Sequence, residues 1–298
     1  MAHEYSEVPF VLNKDLGRPQ LPHDDAYCRT NSDGKPVITL TAEQRYAFDL
    51  RGWLLVPGVL SEEEMIPMRE HVKRLHTDPE SIPEKDRSSL GGPLETLIDH
   101  PVVVGFMNEF VYNPFTDGSK TPPLGNQECY GFRFEYSFSQ YRQNGEGRFA
   151  PHNGGGSMRV PGDHHTYHVF PGHAKSVLTR ALWELNPVQE GKGGTLFVSG
   201  SHKSAFPAPE EKIRQIDSPF WDNYSCPAGS VLFFTEAVTH SSSIWTDEET
   251  ARLAVFNSYN MIGCKWHNWD PNPEQLAQMP PMRQTLFRPV YVSGNVVG

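Results

Sequence analysis

The chain has 298 residues, 37% hydrophobic, 11% aromatic and 21% charged, which suits a packed β-rich globular core and excludes a disordered chain. Its 26 basic and 36 acidic side chains give a formal charge of −10, which repels phosphate backbones and anionic lipid and so excludes nucleic acid and membrane surfaces as expected partners. Cys28, Cys129, Cys226 and Cys264 show neither CxxC nor zinc-knuckle spacing, and the first ten residues lack a signal-peptide pattern. No run reaches the roughly 18–20 apolar residues of a membrane span, so the expectation is a soluble cytoplasmic protein with reduced thiols.

In chain order, residues 1–38 are rich in Pro, Asp and Asn and read as an extended arm. Thr41-x-x-Gln44 is a capping-box pattern that starts a helix through about Leu50, and Gly52 breaks it. Trp53–Val56 is a short apolar strand, Pro57-Gly58 a turn, and Ser61-x-x-Glu64 a second capping box opening a helix to about Leu75. From residue 130 the texture changes to strands, expected at Tyr130–Tyr141, Ser176–Asn186, Thr195–Val198, Ser230–Glu236, Arg252–Tyr259 and Leu286–Val292. Phe132, Phe134 and Tyr136 alternate on one face of the first of these and read as core. Helical periodicity is nearly confined to the N-terminal part and Pro209–Ile216. The expected organisation is one domain over 39–298: a helical cover at 39–110, a barrel core at about 130–260 and a C-terminal extension at 261–298.

Of the thirteen histidines, His3, His23, His71, His76 and His100 read as surface or packing residues. His240 follows the apolar strand Val231–Phe234, and Arg252, twelve residues on, opens the next strand. That arrangement places an imidazole, which binds mid-series metals, and a guanidinium, which clamps a carboxylate through two parallel hydrogen bonds, at the mouth of one barrel.

Four segments in order then resemble the phytanoyl-CoA hydroxylase family of iron and 2-oxoglutarate oxygenases. They are Phe48-x-x-x-Gly52 with Trp53–Ser61; Ala181–Leu185 leading to Gly193–Lys203, which contains Gly-Ser-His-Lys; Pro227–Phe234 with His240; and Arg252. The resemblance implies a mainly β fold with N-terminal helices, a double-stranded β-helix of the jelly-roll, cupin-like kind. It implies Fe(II) held by a His-x-Asp pair and a distal His, with 2-oxoglutarate on the iron and its far carboxylate on the strand Arg. By position the distal ligand is His240, the clamp is Arg252 and Ser242 is a second carboxylate contact. His202, in the Gly-Ser-His-Lys segment, is expected to be a hydrogen-bonded scaffold residue.

The proximal motif departs from the family. The candidate is His152-Asn153-Gly154, with no ligand atom at the third position. One reading fills the place with water or another residue, Glu236 or Asp163 being candidates, and keeps hydroxylation. Glu236 also reads as an outer or substrate-facing carboxylate. A second reading leaves Gly154 as an open position for chloride or another halide, giving a halogenase. A third makes the chain an inactive binding module. His164, His165 and His168 lie between Pro161-Gly162 and Pro171-Gly172, with His173 just beyond, and read as a loop over the mouth rather than a metal site. The expected partners are a small organic substrate and O2. The chain is expected to be a monomer or homodimer, residues 261–285 being a candidate dimer contact or a cover on the barrel.

Overall fold

The computed structural model describes residues 28–112, 128–153 and 165–290. Both expected capping boxes are formed. The hydroxyls of Thr41 and Ser61 accept from the N–H three residues on, and Gln44 and Glu64 accept from the cap's own N–H. They start α1 (Ala42–Arg51) and α2 (Glu62–Thr77). Gly52 ends α1 at a φ of 82°, its N–H donating to Phe48 O at 2.7 Å. A Cβ on Gly52 would lie 2.6 Å from Nδ1 of His202. Gly52→Ala therefore combines left-handed strain with a clash, and should lower stability by roughly 1–3 kcal/mol. A lowered denaturant midpoint at unchanged slope would report that loss.

The remaining elements are β1 (Trp53–Val56), α3 (Pro101–Phe110), β2 (Phe132–Arg142), β3 (Tyr167–Phe170), β4 (His173–Ser176), β5 (Thr179–Glu184), β6 (Thr195–Val198), α4 (Glu210–Ile213), β7 (Ser230–Thr235), β8 (Thr239–Ser242), β9 (Arg252–Met261), α5 (Pro273–Gln278) and α6 (Pro281–Gln284). A five-stranded antiparallel sheet runs β1-β7-β5-β9-β2. A smaller sheet pairs β6 with β8, and single bridges extend it to His152 beside β8 and to Asp222 beside β6.

The large sheet lies between two apolar cores. Its outer face carries Ala181, Trp183, Val231, Phe233, Val255 and Tyr259 against the helices, with Phe106 stacked on Phe233 at 4.1 Å and edge-on to Phe48 at 4.7 Å. Such aromatic pairs add about 0.5–1.5 kcal/mol each beyond their buried area. The inner face carries Leu182, Leu232, Phe234 and Phe256 against Phe197 of the smaller sheet. The space between the sheets is where inward side chains of β8 and β9 meet.

Several expectations are corrected. Leu286–Val292 is not a strand over its described part. Thr285–Phe287 is a 3-10 turn that buries Leu286, and Pro289 has no N–H for a ladder. Residues 291–298 lie outside the described residues. The C-terminal extension contains α5 and α6, each opened by a proline at the first helical position, where no N–H is needed. Arg283, 2% exposed, ties that extension to the front of the chain, donating to Asp99 at 2.9 Å, Glu95 at 2.6 Å and Asp33 at 2.8 Å. Of the arm expected over 1–38, the described part from residue 28 bridges Thr30 to Pro36 and buries Cys28 and Asn31. The expected loop over the mouth contains a hairpin, β3–β4, turned at Pro171-Gly172. A bulge between Phe134 and Tyr136 breaks the alternation read for β2. Phe132 and Phe134 stay in the outer core, and Tyr136, opposite Ser258, stacks on His267 at 4.7 Å.

Candidate metal centre

His152 and His240 sit side by side in the smaller sheet. Their backbones exchange hydrogen bonds of 3.0 and 3.1 Å, and their ring centroids are 4.2 Å apart. In each ring Nδ1 lies 2.8 Å from the carbonyl two residues earlier, that of Ala150 or Val238. A carbonyl only accepts, so Nδ1 carries the proton and the Nε2 lone pair is left for a metal. Phe234 meets the His240 ring edge-on at 5.0 Å and helps fix it.

Glu236 lies in the turn from β7 to β8, where its N–H donates to Leu178 O at 2.8 Å. Its Oε2 is 3.8 Å from His240 Nε2 and accepts from Asn153 Nδ2 at 2.5 Å. Its Oε1 accepts from Arg180 Nε. One donor atom from each of His152, Glu236 and His240 falls within 4.8 Å of the other two. Asn153 holds a φ of 61°, which an asparagine tolerates better than most side chains, and its carbonyl accepts from Thr239 Oγ1 at 3.1 Å. Arg180 also donates to Ser258 Oγ at 3.0 Å, and its guanidinium lies 5.5 Å over the Phe138 ring.

Charge in this cluster is arranged for a cation. Burial pushes the His240 imidazole down, with His152 adding to the effect, to about 3. Burial alone would raise the Glu236 carboxyl, but Arg180 and the two imidazoles together hold it at about 2. Two imidazoles whose Nε2 atoms are left free and one carboxylate therefore face each other, a set that suits a divalent first-row metal. Burial also lowers His100 and His202, each to about 4. For all three histidines the unfolded chain takes up protons below about pH 6.5 while the fold does not. Stability of the metal-free protein is then expected to hold above pH 7 and to fall from about pH 6.5 downward. Glu236 acts in the same direction below about pH 4.5, where its contribution is lost as the pH drops toward about 2. Thermal melts of metal-free protein across pH 4–8 would show the fall, and a flat profile down to pH 5 would contradict it.

The other expected site residues fall into three groups. Gly154 and Asp163 lie outside the described residues. Ser242 shares the face of His240, but its hydroxyl donates to Arg148 O at 2.5 Å. Arg252 is buried within the protein. It is 1% exposed and held by Glu184, with Nε at 3.2 Å from both carboxylate oxygens and Nη2 at 2.5 Å from Oε1. Tyr224 donates to the same carboxylate at 2.6 Å, and Gln140 accepts from Nη1 at 3.2 Å. Arg252 Nη2 also reaches Thr195 Oγ1 at 3.3 Å, and Thr195 is opposite Ser242 in the register that puts Phe197 opposite His240. The arginine thus reaches the side of the smaller sheet that His240 faces.

The other described histidines stay apart from the cluster, and His164 lies outside the described residues. His165 is buried edge-on to Trp266 at 4.8 Å, His168 meets Thr166, and His173 stacks on Phe170 at 4.7 Å. His202 is buried, with Nε2 3.0 Å from Asp49 O. Asn153 and Arg180 had no signal in the sequence, because both join the cluster through long-range register.

The two sheets have the strand order of a double-stranded β-helix, and comparison with known proteins agrees. Residues 139–246, which carry His152, Glu236 and His240, match the phytanoyl-CoA dioxygenase (PhyH) family model, so the resemblance read from the sequence holds over that segment. HygX from Streptomyces hygroscopicus, with nickel and 2-oxoglutarate bound, aligns over 80% of this chain and 94% of its own at 22% identity and a TM-score of 0.59. HygX with nickel, 2-oxoglutarate and hygromycin B aligns over 76% and 90% at 23% identity, also at 0.59. SnoK, a non-heme alpha-ketoglutarate-dependent carbocyclase from nogalamycin biosynthesis, aligns over 85% and 94% at 15% identity and 0.51. At these identities the likeness shows the fold. Comparison with curated proteins gives no match. No helix among the described residues is long and apolar enough to cross a membrane.

Proposed function

We propose that this chain is an Fe(II)- and 2-oxoglutarate-dependent oxidoreductase that hydroxylates a small organic substrate, with His152, His240 and Glu236 as the metal ligands. The observation that carries the reading is the convergence of two Nε2 lone pairs and one ionised carboxylate at the end of a double-stranded β-helix. Two histidines and one carboxylate with open positions are the donor set of non-haem Fe(II) oxygenases. When bound, iron and 2-oxoglutarate supply the oxidising chemistry, using O2 and releasing succinate and CO2.

The chain's residues do the positioning. Ala150 O and Val238 O fix the ring tautomers. Arg180 and Asn153 hold Glu236 against the histidines. Arg252, aligned by Glu184, would hold the far carboxylate of 2-oxoglutarate. Phe138, Phe234 and Phe256 keep the intervening wall apolar and limit water. Residues 39–298 act as one domain on this reading, and the four cysteines, all free thiols, suit a reducing cytoplasmic setting.

Succinate formation from 2-oxoglutarate with Fe(II) and O2 tests the activity, run with and without chloride or bromide and with mass spectrometry of a substrate panel. The proposal predicts succinate and a mass gain of one oxygen. A halogen mass shift would instead assign the halide chemistry, and no succinate from iron-loaded protein would favour a binding module.

A further inference from the structure

The two carboxylate oxygens of Glu236 are held unequally. Oε1 accepts from Arg180 Nε, a charged donor. Oε2, the oxygen 3.8 Å from His240 Nε2, accepts from the neutral amide of Asn153 at 2.5 Å. A charge-assisted hydrogen bond is roughly twice as strong as a neutral one. A cation arriving between the histidines therefore displaces Asn153 from Oε2 more easily than Arg180 from Oε1.

Arg180 also has little freedom to let go. It lies on β5, the central strand of the large sheet, opposite Phe234 on β7 and Ser258 on β9. Its Nη1 donates to Ser258 Oγ at 3.0 Å, and its guanidinium lies 5.5 Å over the Phe138 ring, so two further strands brace it. The carboxylate is fixed from below as well. The Glu236 N–H donates to Leu178 O at 2.8 Å, and the next two N–H groups close the turn on the Thr235 hydroxyl and carbonyl at 3.2 and 3.1 Å.

We propose that Arg180 is a positioning residue that limits Glu236 to a single metal-binding oxygen, Oε2. This rests on the metal-centre reading above. Two imidazoles and one carboxylate oxygen fill half the positions of an octahedral ion, leaving room for a chelating 2-oxo acid and one further small ligand. A carboxylate can also bind a metal through both oxygens, and the 2-oxo acid would then fill the last positions. By keeping Oε1, Arg180 holds one position open.

The test uses nitric oxide as a probe of that position. Its iron-nitrosyl paramagnetic resonance signal is measured per bound Fe(II) in anaerobic protein, with and without 2-oxoglutarate. Wild type should give the signal in both conditions. Arg180→Met should give it without 2-oxoglutarate and lose about 10-fold or more of it with 2-oxoglutarate bound, the size of effect expected on changing an outer partner of a metal ligand. Arg180→Lys keeps a charged donor and should recover much of the loss. Ser258→Ala removes only the brace on Nη1 and should fall between wild type and Arg180→Met; where the methionine variant does not fold, this comparison decides in the same way. A merely structural role lowers the melting temperature and leaves the signal per iron unchanged. An unchanged signal with 2-oxoglutarate bound, or an equal loss with and without it, would overturn the role of Arg180 and leave the three-ligand centre standing. Wild-type protein that loads Fe(II) but takes up no 2-oxoglutarate, or gives no signal beside it, would overturn the metal-centre reading and this inference with it.

Discussion

Replacing His240 by alanine is expected to abolish turnover and to weaken Fe(II) binding by more than about 100-fold. Changing an outer partner of a metal ligand commonly costs ~10–100-fold in metal affinity, and His240 is itself the central donor of the cluster. It is linked by backbone to His152 on one side and to Phe197 on the other, and its Nε2 lies 3.8 Å from Glu236 Oε2. Its Nδ1 bond to Val238 O sets which nitrogen faces Glu236, so asparagine or glutamine would not restore the geometry. Anaerobic Fe(II) titration and succinate assay on the same preparation read both effects. Full activity in iron-loaded His240→Ala protein would remove this residue from the site.

Glu236→Ala should produce two separable losses. The first is metal affinity, again by more than about 100-fold if the carboxylate is a ligand. The second appears without metal. Glu236 is 2% exposed and paired with Arg180, whose side chain is 14% exposed. Removing one partner of a buried pair strands the other charge, a loss of about 3–5 kcal/mol. Arg180 keeps some access to water, so the value should lie near the lower end, about 3 kcal/mol. In a chain of this size that is a drop in melting temperature of roughly 6–12 °C. A variant that melts lower yet binds iron like wild type would make Glu236 a structural partner of Arg180 and favour a centre of two histidines with an open position.

Local features of this chain were legible in the sequence, and long-range ones were not. Thr41, Ser61 and Gly52 announce their helix ends through chemistry confined to a few residues, and Thr195–Val198 is a strand by its own composition. The chain order of His152, His240 and Arg252 pointed to one barrel, and the structure brings the two histidines together. It could not show that Arg252 is already engaged by Glu184, because that contact crosses 68 residues. Nor could it rank Glu236 against Asp163, since the position of Glu236 depends on Arg180 and Asn153 reaching it from other strands. The β2 bulge was invisible for the same reason. One extra residue at Glu135 turns Tyr136 from the outer face of the sheet to the inner one, and only pairing with β9 reveals it.

The central claim is that three residues, His152, Glu236 and His240, hold the metal. Crystals grown anaerobically with Fe(II), measured at the iron absorption edge, test it most directly. The account predicts one anomalous peak about 2.1 Å, an ordinary first-row ligand distance, from Nε2 of both histidines and from a Glu236 oxygen released by Asn153. A peak elsewhere, or iron on the two histidines with Glu236 still held by Asn153 and Arg180, would contradict it.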